Sequence, residues 1–355
     1  MLRLTFEQSS YIFIKKINTY IINEAGSKIV VMQNIDTNQI GIKNQNGQNK
    51  DSGRSGLNLS AVYVLVAGSL WGFMGLLVRT LNVEGLASLE ITFIRALVTF
   101  GVMLLGLLLF NRKALRIRLK DIWCFLGTGA CSVAFFNFCY FKTMTYTSLS
   151  VAAVLLYTAP VFVMLMSAFL FNEKLSKQKL IALLFAFAGC CFVSGIAGGD
   201  GGISGMGLLT GLGAGFGYAL YSIFGRYALM RGYSSVTISF YTFLFAALST
   251  LFMVDAEKIL YVVTGNAGLL AKTIFLVLLV TLLPYLFYTK GLAGVENGTA
   301  SVIASVEPVV ATLVGVIIYK EELSAQNVLG IGLVLFSILL INGKMKVQKR
   351  NSNNE

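Results

Sequence analysis

Glu307 and Pro308 stand side by side inside the apolar stretch ASVEPVVATLVG, residues 304–315. The nearest charged residues are Glu296 upstream and Lys320 downstream. Glu307 sits near the middle of a predicted helix over 298–318, ~13 Å from either end at ~1.5 Å per residue. That is too deep for a glutamate to reach water. A charge at such depth costs at least ~2.5 kcal/mol unless it is paired or hydrated, so such residues usually face a cavity. A carboxylate there can change protonation or bind a substrate ammonium. The competing reading is structural: a protonated acid hydrogen-bonded beside the proline kink.

Few other residues could join it. Arg95 lies about two turns inside a predicted helix over 88–110, where it either binds an anionic group or completes an internal ion pair. Lys142 and Lys290 close two further helices, either as cationic lips for anionic substrate groups or as anchors reaching the interface. Trp71, Asn137, Tyr140, Tyr157, Tyr218, Tyr221, Tyr285 and Tyr288 put polar edges on apolar bodies. Of these, Trp71, Asn137, Tyr157 and Tyr221 are taken as candidate lining residues. All three prolines fall in predicted spans. Pro160 should free the carbonyl of Leu156, and Pro308 that of Ala304. Such breaks are tolerated at membrane depth where neighbours or a watery cavity satisfy the backbone.

Other chemistries find no support. There is no histidine, and the five cysteines fall inside apolar runs without a CxxC pair, so neither a metal site nor a serine–histidine nucleophile is expected. The glycines of GMGLLTGLGAGFGYA lack the Lys-Ser/Thr ending of a phosphate loop and read as close helix contacts. No catalytic residue and no cofactor is expected.

The elements that must position these residues are spans. The chain is 56% hydrophobic and only 12% charged, about half the charged share of a soluble domain. Apolar runs predict ten spans at about 60–80, 88–110, 122–142, 148–171, 178–197, 205–229, 234–254, 272–291, 298–318 and 324–343. Residues 1–58 are different. They contain the polar run NQNGQNKDSGRSG, lack a signal-peptide pattern, and read as a disordered tail or an over-extended start. The net charge of +12 resides in short loops and tails, not in a nucleic-acid patch. Basic residues gather at 111–120, 174–179, 226–231 and 344–350, while Glu84, Asp200, Asp255 and Glu257 lie in the opposite loops. The positive-inside rule then places both termini in the cytoplasm.

The chain also repeats. A shift of 148 residues lays Ala152 on Ala300, Pro160 on Pro308, Leu165 on Leu313, and Glu173, Leu175, Ser176 and Gln178 on Glu321, Leu323, Ser324 and Gln326. A shift of 147 lays Gly68 on Gly215 and Arg79 on Arg226. Ala159 is the mate of Glu307, so the carboxylate belongs to one copy only. With five spans per copy, the second copy enters the membrane upside down, a design common in secondary transporters.

YFKTMTYTSLSVAAVLLYTAPVFVMLMSAFLFNEKLS and ASVIASVEPVVATLVGVIIYKEELS resemble the two copies of the EamA repeat of the drug/metabolite transporter superfamily. SLWGFMGLLVR and ITFIRALVTF are similar to its first two spans, and the EP pair matches its second repeat. The resemblance covers nearly all of 60–343, whereas the long leader departs from it. It implies a ten-helix carrier, most often an exporter of small metabolites, with a central cavity between the halves.

The expected fold is therefore all-α integral membrane: ten transmembrane helices in two inverted-topology repeats, 59–197 and 204–343, followed by a basic cytoplasmic tail at 344–355. The expected function is secondary transport, by alternating access and in the export direction, of a small, amino acid-like or other organic solute across the cytoplasmic membrane, the alternative being a channel or a non-transporting membrane scaffold. The expected partners are that solute, the lipid bilayer and protons as coupling ion, with no nucleic acid.

Overall fold

A computed structural model describes residues 59–194 and 204–351, with side chains as far as residue 341. The leader at 1–58, the end of the fifth expected span and the turn at 195–203 lie outside the described residues. Every regular element among the described residues is helical. We number them α1 (Leu59–Val83), α2 (Ser88–Phe110), α3 (Leu119–Tyr146), α4 (Leu149–Phe171), α5 (Lys177–Val193), α6 (Gly205–Met230), α7 (Ser235–Leu251), α8 (Ala256–Thr264), α9 (Ala267–Leu292), α10 (Asn297–Tyr319) and α11 (Ala325–Asn351).

Seven of these, α1–α4, α6, α9 and α10, are long and apolar enough to cross a bilayer. An eighth is reached if α7 and α8, bent by 116°, count together. The stretches expected at 178–197 and 324–343 are helical too, as α5 and the Ala325–Ile341 part of α11, but shorter in their apolar length. Helix α8 was not anticipated. It begins at Asp255, whose carboxylate accepts from the Lys258 N–H at 3.0 Å, and it buries Ile259 and Val263 against Leu269 and Val277. Its nine residues fall well short of the length a span needs, so a search for membrane-length apolar runs passes over them.

Helix starts follow local chemistry. Ser148, Ser176, Ser204 and Ser234 each accept a hydrogen bond from the backbone N–H three residues on, and Asn266 does the same for Gly268 and Leu269. These caps satisfy N–H groups that a helix cannot satisfy itself. Ends follow too. Asn172 after α4 and Lys320 after α10 both adopt the left-handed conformation, at φ 55° and 59°, and they are mates under the 148-residue shift.

The same shift relates other irregularities. Helix α4 breaks at Tyr157–Thr158 and α10 at Ser305, each just before its proline. Wide π-turns interrupt α3 at Gly127–Ala134 and α9 at Leu278–Leu282. Two helices therefore bend, and two widen, at matching places in the two copies.

Glycines let the first helix of one copy press on the broken helix of the other. A Cβ at Gly68 or Gly72 of α1 would meet the Ala304 carbonyl oxygen at 2.9 Å or the Glu307 carbonyl oxygen at 2.9 Å. A Cβ at Gly215 of α6 would meet Thr158 Oγ1 at 2.4 Å. The carbonyl of Ala304, freed by Pro308, is thus covered by a neighbouring backbone.

Loops expected on one side of the membrane touch one another. Asp121 pairs with Arg118 at 2.7 Å and Arg231 at 3.0 Å and accepts from Tyr233. Lys179 pairs with Glu296. On the other set of loops, Lys258 pairs with Glu90 at 2.9 Å. Large apolar residues such as Leu109, Phe169, Leu184 and Leu339 lie exposed on the helix surfaces. In a bundle this apolar, such faces suit lipid rather than water.

Candidate functional site

The breaks in α4 and α10 line one cavity of about 30 Å³. Repeat one contributes Leu156, Tyr157, Ala159, Pro160 and Val163, all from α4. Repeat two contributes Tyr218 from α6, Tyr288 from α9, and Ser301, Ala304, Ser305 and Glu307 from α10. This volume holds a water molecule. Small-molecule sites need several hundred Å³, so the cavity must widen to admit a metabolite.

Glu307 is the second residue of the half-helix Val306–Tyr319. That end of a helix presents free N–H groups and a positive partial charge, which favour a carboxylate. The remaining accessible surface of Glu307 opens into the cavity. Its Oε2 accepts from the Tyr218 hydroxyl at a long 3.4 Å. Arg95, buried on α2, donates from Nε to Thr281 in the wide turn of α9 at 3.0 Å. No ion pair within 4.0 Å joins Arg95 to Glu307 among the described residues. The carboxylate is therefore held by one long hydrogen bond and by no ion pair within 4.0 Å among the described residues.

Aromatic rings pack beside it. Trp71 lies 6.2 Å from Tyr218 and 5.3 Å from both Tyr285 and Tyr288, centroid to centroid. Tyr221 stands edge-on to Tyr285 at 4.9 Å. The hydroxyls of Tyr221 and Tyr288 are bound, to Thr289 at 2.6 Å and Ser222 at 2.8 Å. Among the described residues the Tyr218 hydroxyl bonds to Glu307 alone. Trp71 and Tyr218 are mates under the 147-residue shift, so the ring pair joins the two copies.

Helical hairpins with paired breaks, inter-copy glycine contacts and a buried carboxylate at their junction coincide with two tandem matches to a single family. The EamA-like transporter family matches residues 58–195 and again 205–343. The chain belongs to this family. Among EamA-like relatives, it is 26% identical over 293 residues to the uncharacterized transporter YwfM of Bacillus subtilis (strain 168), covering 82% of this chain and 96% of that protein. It is 28% identical over 227 residues to an uncharacterized transporter of Archaeoglobus fulgidus, covering 64% and 79%. The fold is shared with a solved crystal structure at 18% identity and TM-score 0.66, over 79% of this chain and 95% of that one. The chain is thus a multi-pass membrane protein with named transporters as relatives.

Within this EamA-like frame the structure sorts the sequence candidates. Glu307, Tyr157 and Pro160 line the cavity. Trp71 and Tyr221 stand in the ring cluster beside it, and Arg95 is buried on α2, bonded to Thr281 and not lining the cavity. Pro308 follows the break without lining the cavity. Asn137 is buried and turned aside, donating to the Val133 carbonyl at 2.7 Å and bonded to Thr92 at 3.2 Å. Lys142 is exposed at the end of α3, and Lys290 lies 4.9 Å above the Tyr63 ring. Neither lysine lines the cavity. The serines of the site, Ser301 and Ser305, had no signal beyond their place before Glu307, since serine is common in packed spans. Tyr218 and Tyr288 stand one helical turn from Tyr221 and Tyr285, a spacing that marks the shared faces. Among the described residues no group of three or more His, Cys, Asp or Glu converges to hold a metal.

Proposed function

We propose that this chain is a secondary carrier that moves a small organic metabolite, amino acid-like or otherwise, across the cytoplasmic membrane by alternating access, normally as an exporter. Ten spans in two inverted copies of five would carry it, with both termini in the cytoplasm. Glu307 would serve as the site of a coupling proton or of a substrate ammonium, exposed to each side in turn. Arg95 would tune that site, and Trp71, Tyr157 and Tyr221 would shape the space around it. Lys142 and Lys290 retain only a peripheral role, as charges at helix ends.

One observation carries this reading. A loosely held carboxylate faces a small cavity between two broken helices, one from each copy. Broken helices meeting at mid-membrane are the usual setting of a carrier site. A cavity of about 30 Å³ fits a closed state that must open to work, and this supports a carrier over an open pore. The test is counterflow in proteoliposomes across a panel of metabolites. Saturable exchange is expected. Flux that rises linearly with solute and carries current would replace the carrier with a channel.

A further inference from the structure

Arg79 and Arg226 are mates under the shift of 147 residues, and Glu173 and Glu321 under the shift of 148. The structure pairs them crosswise. Arg79 of the first copy meets Glu321 of the second, Nη2 to Oε1 at 2.6 Å. Arg226 of the second copy meets Glu173 of the first at 3.9 Å. We propose that these two reciprocal ion pairs are the gates of the cavity, one at each end, and that each opens while the other holds.

Placement supports this. Glu173 accepts from the backbone N–H of Asn297 at 2.8 Å and of Gly298 at 3.2 Å, so it holds the first turn of α10. Arg226 reinforces that end through Asn297 Oδ1 at 3.0 Å and the Val295 carbonyl. Glu321 follows the last turn of α10, and the Arg79 guanidinium lies 3.9 Å from the Tyr319 ring centre. The 23 residues of α10 span about 34 Å at ~1.5 Å per residue. The pairs therefore sit at opposite ends of the helix that carries Glu307, and each joins one residue of the first copy to one of the second. A rocking of one copy against the other must break one of them.

The gates are not equal. Arg79 and Glu321 are 52% and 50% exposed, whereas Arg226 and Glu173 are 18% and 9% exposed. An exposed pair is screened by water and salt and contributes little. A desolvated pair with two backbone bonds is costly to break by removing one partner. The Glu321 end is thus the looser gate, and the Glu173 end the tighter.

This inference rests on the carrier reading, but its test needs no substrate. Ser305→Cys places a thiol on the cavity wall, in a full chain whose five native cysteines are replaced by alanine. Its reaction with a membrane-impermeant maleimide is followed in sealed vesicles of the two opposite orientations. Glu321→Gln should speed labelling roughly two- to fivefold from the Glu321 face alone. Glu173→Gln, or Arg226→Gln should the first not reach the membrane, should speed it roughly tenfold or more from the opposite face alone. The exchanged pair Arg79→Glu with Glu321→Arg should return labelling to the parent rate. Equal increases from both faces, unchanged labelling in the Glu321→Gln protein, or no recovery in the exchanged pair would overturn the gate assignment. If counterflow finds no substrate while labelling behaves as described, the carrier reading fails and the paired gates remain.

Discussion

The breaks in α4 and α10 are built alike and equipped differently. At each, a backbone interruption precedes a proline, and a glycine from the other copy's first helix presses against it. At the α4 break, Thr158 turns its hydroxyl back to the Leu155 carbonyl at 2.6 Å, and the next side chain is Ala159, almost fully buried. At the α10 break the position equivalent to Ala159 is Glu307, open to the cavity. The surrounding residues diverge in the same sense. Tyr285 and Tyr221 of the second copy replace Asn137 and Met74 of the first. The bend is a duplicated backbone device. The carboxylate belongs to one copy only, so the two copies line the cavity with different chemistry.

The largest expected effect removes that asymmetry. Glu307→Gln keeps the shape but cannot ionise. Gradient-driven accumulation should fall at least tenfold, the loss of roughly 1.4 kcal/mol of differential interaction. Exchange at equal concentrations separates the roles: it survives if Glu307 carries a proton, and falls in parallel if Glu307 binds an ammonium. A stable variant with unchanged accumulation, exchange and pH profile would reduce Glu307 to a structural group.

Ala159→Glu tests the comparison from the other side, by giving the α4 break a carboxylate. Ala159 is 3% exposed, and the new acid finds no second Arg95. Stability should drop by ~2.5 kcal/mol or more, read from the thermal midpoint of the purified protein. A variant as stable as the parent would mean that the two breaks accept a carboxylate equally.

The glycine contacts give a smaller effect. A Cβ at Gly72 would meet Val310 Cβ at 2.6 Å, whereas at Gly75, one turn on, it would meet nothing within 4 Å. Gly72→Ala should cost about 1–3 kcal/mol by overpacking, and Gly75→Ala, in the first turn after Phe73 and without a positive φ, should gain about 0.4–1 kcal/mol. Thermal midpoints moving the same way in both would remove the role of Gly72 in seating α1 on the α10 break. The smallest effect is expected outside both copies. The family matches begin at residue 58, so deleting residues 2–50 should leave membrane insertion and flux unchanged, measured by fractionation and by counterflow.

Hydropathy, prolines and the internal repeat were readable along the chain because each is a local or strictly translational signal. Twenty apolar residues form a helix in lipid wherever they occur, proline cannot donate its backbone bond, and a 148-residue shift needs no knowledge of contacts. Glu307 stood out for the same reason: depth follows from position within a span. What could not be read was the rotation of each helix. A soluble helix marks its outer face with charge, but here the lipid-facing Phe169 and Leu339 are as apolar as the core-facing Val163 and Val334. Residue type alone therefore makes Asn137 a lining candidate, whereas in the structure it bonds to Thr92 and Val133, and Tyr218, the donor to Glu307, cannot be told by sequence from tyrosines that only pack. The crosswise pairing of Arg79 with Glu321, 242 residues apart, depends on how two bundles dock. Helix packing chooses among faces that composition leaves equivalent, and that choice brought five aromatic rings beside a carboxylate and set an ion pair at each end of its helix.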